Sequence, residues 1–173
     1  MPFTPFHMGI ACIVKPMAPQ HLSLITFGLA QIAMDIEPLI GMVRQSDILH
    51  GPSHTIIGSV VIGMFVALVS SPIRRLILRR YNYEVMAYNV RWLSEPTEPT
   101  SLAIWTGALG GTLSHIVLDS FMHDDMRPFA PFSDANPLLQ IVSHDDVYRF
   151  CFIFGLVGCM AWFMTKWWSR HAS

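Results

Sequence analysis

Residues 101–123 read SLAIWTGALGGTLSHIVLDSFMH, an apolar stretch long enough to cross a bilayer that carries His115, Asp119 and His123 at successive spacings of four. About 20 apolar residues span a ~30 Å hydrocarbon core as a helix. On that helix the spacing stacks the three side chains down one face, each about 6 Å of rise from the next. Ionisable groups at membrane depth cost at least ~2.5 to 3.5 kcal/mol each, so three on one face imply a site. Gly107, Gly110 and Gly111 add a stripe of small residues suited to close helix packing.

Composition places this stretch in a membrane protein. Of 173 residues, 52% are hydrophobic and 13% charged, about half the charged share of a soluble domain, and the mean hydropathy is +0.42. So few charges cannot cover a soluble surface. The expected class is an all-α, polytopic membrane helical bundle forming one domain, residues 1–173. A net charge of -1 gives no basic balance for nucleic acid, which is not expected as a partner. Cys12, Cys151 and Cys159 lie in apolar segments without CxxC spacing and read as small packing residues. No basic region precedes the first apolar residues, and Pro2 and Pro5 break a signal-peptide pattern, so no cleaved signal is expected.

Residues 2–14 form a short apolar stretch holding His7, closed by Lys15, Pro16 and Pro19; it reads as a half-membrane or interfacial helix. A first span at 21–43 carries Gln31, Asp35 and Glu37 in its second half, and Pro38 is expected to kink or end the helix there. A loop with His50 leads to a second helix at 54–70. Residues 73–100 mix Arg74, Arg75, Arg79, Arg80 and Arg91 with aromatic residues and read as an amphipathic cytoplasmic segment. The third span is 101–121, a polar loop follows at 122–146, and the last span, 147–168, ends at the interfacial Trp167 and Trp168. The expectation is about four spanning helices plus the N-terminal half-helix and the amphipathic segment.

If the arginine segment is cytoplasmic, Asp35, Glu37, His50, His54, His115, Asp119 and His123 all fall at the opposite face, and His7 joins them if its half-helix starts there. Mixed nitrogen and carboxylate donors suit a divalent metal, zinc first, with manganese or iron as alternatives, and a carboxylate can bridge two ions. The candidate ligands are His7, Asp35, His50, His54, His115, Asp119 and His123. Gly51, Pro52 and Ser53 resist helix, so His50 and His54 reach inward through a turn, with His50 a ligand or a general acid. Asp35 and Glu37, two apart, point to different sides of a helix; Asp35 is the ligand, and Glu37 is the base or orients a ligand histidine. Gln31, one turn earlier, makes an ordinary helix contact or adds a hydrogen bond to a ligand. Arg127, beside an acidic face, is suited either to clamp a phosphate oxyanion or to pair with a nearby Asp. Against the metal stands a simpler alternative, polar helix ends and interfacial histidines, which is how His21, His144 and His171 are read.

At these residues the chain resembles the membrane-bound metal-dependent hydrolases of the LexA-regulated inner-membrane type. Their elements read here as Thr4 to His7, Asp35-Ile-Glu37, His50-Gly-Pro-Ser-His54 and His115-Ile-Val-Leu-Asp119. Two positions depart from the pattern: Glu37 replaces an Asp, and Gly51 stands where an arginine is often found. The late His/Asp pair is also distantly similar to the H-x-x-x-D of zinc-dependent phospholipase C. The resemblance implies an integral membrane protein of the bacterial inner membrane, with its site facing the periplasm. One to three divalent ions would activate water against a phosphoester or ester of a lipid or lipid-linked small molecule, membrane lipid being the surrounding partner. The sequence does not determine the oligomeric state. A divalent-metal transporter is the rival class; it calls for midplane ligands and a polar route to both faces, sometimes with internal repeats, and the sequence shows neither a repeat nor polar residues in the cytoplasmic halves. A non-enzymatic membrane adaptor is the third reading and implies no bound metal.

Overall fold

Hydroxyl caps set where three of the helices begin. Ser23, Thr55 and Thr100 stand just before apolar runs, and each side-chain oxygen accepts the backbone N–H three residues on, from Thr26, Gly58 and Ala103. The computed structural model describes residues 4–171. Among them it holds α1 (Met8–Met17), α2 (Leu24–Val43), α3 (Ile56–Val69), α4 (Ser71–Ala87), α5 (Ser101–Met122) and α6 (His144–His171). Short 3-10 turns at Thr4–His7, Pro52–His54 and Arg91–Leu93 join them. The fold is an all-helical bundle.

α5 is the axis of the bundle. Its buried residues, among them Gly107, Gly111, Thr112, His115 and Asp119, recur every three or four positions and pack against α2 and α3. A Cβ on Gly111 would come 2.8 Å from the Phe27 carbonyl oxygen and 2.9 Å from the Ala30 Cβ, so glycine lets the α2 and α5 backbones close up. α1 is seated chiefly on α6. There a Cβ on Gly9 would strike the backbone of Cys151, and one on Gly158 the backbone of Cys12.

α2, α5 and α6 are each long and apolar enough to cross a membrane. α3, with 14 residues, is not, but α3 and α4 together pass the same test as a pair bent by 61°. The expectation of about four spans corresponds to three continuous candidate spans, or four if the bent pair is one span. Pro72, in the first turn of α4, favours the break because it has no N–H to continue the helix and its ring crowds the carbonyl four residues earlier. Outward-facing Phe65, Leu68, Leu76, Phe152, Leu156 and Met160 give the bundle an apolar surface matched to lipid.

One expectation is corrected. Pro38 does not end α2, which continues to Val43; losing one N–H forfeits one helical bond, a cost the packing around the buried Pro38 ring absorbs. One arginine of the basic segment is buried. Arg74 is 3% exposed and donates from Nη1 to Ser70 Oγ at 3.0 Å, on the inner side of the bend.

Candidate metal centre

The turn before α1, the second half of α2, the turn before α3 and the last two turns of α5 meet at one end of the bundle. His115 and Asp119, one turn apart on α5, sit with Nε2 and Oδ2 3.1 Å from each other. The same Asp119 oxygen lies 3.7 Å from His54 Nε2 and 3.9 Å from His50 Nε2. The other oxygen lies 3.7 Å from His7 Nε2. Asp35 reaches in from α2, its Oδ1 3.4 Å from His115 Nε2. His7, His50, His54, His115 and Asp119 are all buried.

Three of these imidazoles are held from behind by an acceptor, and in each case the hold is on Nδ1. The Gln31 amide donates to Gly111 O at 3.0 Å and Ser114 Oγ at 3.3 Å, which turns its Oε1 to accept from His115 Nδ1 at 2.5 Å. Asp125 accepts from His50 Nδ1 at 2.7 Å. Its second oxygen accepts the backbone N–H groups of Leu49 at 2.8 Å and His50 at 3.0 Å. The Ser53 hydroxyl donates to Glu37 Oε2, leaving its oxygen to accept from His54 Nδ1 at 2.8 Å. A protonated Nδ1 leaves a lone pair on Nε2, and all three Nε2 atoms face Asp119.

Several of the polar atoms gathered there have no hydrogen-bond partner. His7 Nε2, His54 Nε2, His115 Nε2, His123 Nε2 and Asp119 Oδ1 are buried and unpaired, although a buried polar atom without a partner costs ~1 to 3 kcal/mol. A cation placed between them would satisfy acceptor lone pairs that face a carboxylate. The spacing fits one: a tetrahedral ion with bonds of ~2.1 Å holds its ligand atoms ~3.4 Å apart, against the 3.1 to 3.9 Å found here. Donor atoms of His7, His115 and Asp119, of Asp35, His54 and His115, and of His50, His54 and Asp119 lie within 4.8 Å of one another in each group. These residues could therefore hold divalent metal. Among the imidazoles outside the spanning helices, burial lowers His7 and His123 below the ordinary value and His54 to about 4. They are neutral at pH 7, the form that ligates.

Three expected site residues are placed otherwise than their spacing suggests, although His123 offers a donor atom within 4.8 Å of ones on His50 and Asp125. His123 is not on the α5 face with His115 and Asp119: it is the extended residue that caps the helix, because the chain turns there toward Asp124 and Asp125. Its ring instead stacks on His50 with centroids 4.3 Å apart. Glu37 sits behind His54, Oε2 3.7 Å from its Nδ1, accepting from Ser53 N at 3.0 Å. Arg127 neither faces the cluster nor pairs with a local carboxylate. It is exposed and donates to the Asp124 and Met126 carbonyls at 2.8 and 3.0 Å. The Thr4 side chain lies outside the described residues.

Sequence reasoning did not single out Asp125 and Ser53 as partners of the histidines. Ser53 precedes His54 directly, which was a usable signal. Asp125 meets His50 across 75 positions, beyond the reach of any local spacing. Burial opposes its charge, yet the backbone N–H groups and the His50 ring pull its carboxyl down to about 2.

The chain matches the YdjM inner membrane protein family over residues 3–172 and belongs to it. No curated protein and no solved structure matches.

Proposed function

Starting from this YdjM inner membrane family member, we propose that the chain is a metal-dependent hydrolase acting on a phosphoester or ester in a lipid or lipid-linked substrate. The observation that carries the reading is the set of buried, unpaired imidazole Nε2 atoms gathered on Asp119. Zinc suits that donor set best, with manganese or iron as alternatives. A bound divalent ion supplies a lowered water pKa and stabilises developing negative charge. His115, His54, His50, His7, Asp119 and Asp35 hold it. Gln31, Asp125 and the Ser53–Glu37 pair fix the ring orientations, so Glu37 is assigned to orienting His54 rather than to abstracting a proton. The cluster lies at the helix ends, where a headgroup meets the bilayer surface. With the arginine-bearing α4 on the cytoplasmic side, that end faces the periplasm.

A transporter needs a polar route along the bundle. The buried face of α5 below the cluster offers Ala103, Gly107, Ala108 and Gly111 instead. The deciding experiment is metal analysis by mass spectrometry of detergent-purified protein, wild type against His115→Ala with Asp119→Ala, followed by hydrolysis assays on phosphodiester and phospholipid substrates. The expected result is stoichiometric metal lost in the variant, together with metal-dependent turnover. Metal-free wild type, or metal without cleavage of any ester offered, overturns the proposal.

A further inference from the structure

We infer that Asp119 bridges two divalent ions, one held with His7 and His115 and the other with His50 and His54. The inference rests on the cluster being a metal centre, not on its being a hydrolase. The donors outnumber one ion: four imidazoles and the carboxylates of Asp35 and Asp119 converge, whereas a tetrahedral ion takes about four ligands and a catalytic one keeps a position open. They also divide. Asp119 presents Oδ1 to His7 at 3.7 Å and Oδ2 to His115 at 3.1 Å, His54 at 3.7 Å and His50 at 3.9 Å, and His115, grouped with both Asp119 and His7, stands between the two sets. Of the three-residue groups with mutually close donor atoms, His7–His115–Asp119 and His50–His54–Asp119 share only Asp119, and a further group, Asp35–His54–His115, runs between them, so the two ions would sit side by side.

The split follows the architecture. His7 comes from the turn before α1 and His50 and His54 from the segment before α3, while α5 supplies the shared carboxylate between them. Asp35 approaches His115 and gives the first ion a second negative charge. His7 lies beside His115 at 4.9 Å between centroids and His50 beside His54 at 4.8 Å, with His54 and His115 in contact at 5.3 Å where the two sets adjoin. Paired ions ~3.5 to 4 Å apart suit in-line displacement at phosphorus, where one stabilises the attacking and the other the leaving oxygen. The bridge therefore favours a phosphoester over a carboxylic ester.

Titration of metal-stripped, detergent-purified protein with cobalt(II) tests the count directly. The expected absorbance end point is about two ions per chain, with the paramagnetic resonance signal of the first ion diminished as a coupled second one enters. His7→Ala and His50→Ala should each end at about one ion with an uncoupled signal, and Asp119→Ala should abolish the coupling. Circular dichroism checks that each variant folds. If His7→Ala does not fold, His7→Gln carries the same expectation. A wild-type end point at one ion or none overturns the bridge, as does His7→Ala retaining a coupled pair. Two coupled ions in a protein that cleaves no ester leave the bridge standing and remove the hydrolase. One ion with turnover does the reverse.

Discussion

Gln31 is the neutral member of an otherwise ionisable cluster, and its two ends are not interchangeable. Its amide nitrogen is committed to Gly111 and Ser114, so only its oxygen can face His115. Gln31→Leu keeps the volume and removes the acceptor, freeing His115 to present the wrong nitrogen. Metal affinity is expected to fall ~10- to 100-fold with unchanged helicity, read by competition against a chromophoric chelator. Asp125→Ala should weaken the metal to a similar degree by releasing His50 and the backbone at Leu49; an affinity within twofold of wild type would refute the orienting role. These two residues differ in how legible they were. Gln31 sits one helical turn before Asp35, so the 3.6-residue period exposed it. Asp125 acts through a loop that folds back on a distant segment, and no periodicity describes such a return.

At the level of elements, the contact of α1 with α6 is a backbone-to-backbone seat made possible by Gly9 and Gly158. Gly158→Leu should unseat α1, costing ~1 to 3 kcal/mol or more by overpacking and withdrawing His7 from the cluster. A lowered melting temperature in detergent together with loss of bound metal is the expected pair of results; stable protein with full metal would show that the seat does not position the ligand. The helices themselves were readable because hydropathy and length dominate in a membrane. Their ends were harder to read. Pro38 suggested a stop that tertiary packing overrode, and His123 continued a ligand spacing beyond the point where α5 ends. The bend at Ser70 was not foreseen, since the signal, Pro72, also suits an ordinary helix start.

At the scale of the whole molecule, lipid replaces water as the surface solvent. Leu156, half exposed near the middle of α6, should tolerate Phe, whereas Leu156→Arg places a charge in hydrocarbon at a cost of ~2.5 to 3.5 kcal/mol. The fraction of protein recovered in membranes should fall accordingly; equal recovery would show that this face does not meet lipid. Sidedness can be read by labelling single cysteines in intact cells: Ser133→Cys, on the loop beside the cluster, should react from outside, and Ser94→Cys should not. That separated segments share one end was legible from the distribution of arginines, but which atom faces which required coordinates. The seating of α1 on α6 has one more result, for biosynthesis. His7 emerges from the ribosome before any other residue of the cluster, yet the helix that holds its own in place is the last to be made. The first donor written in the chain is thus the last delivered, and the nascent protein cannot close its complete set of donors until translation is nearly over.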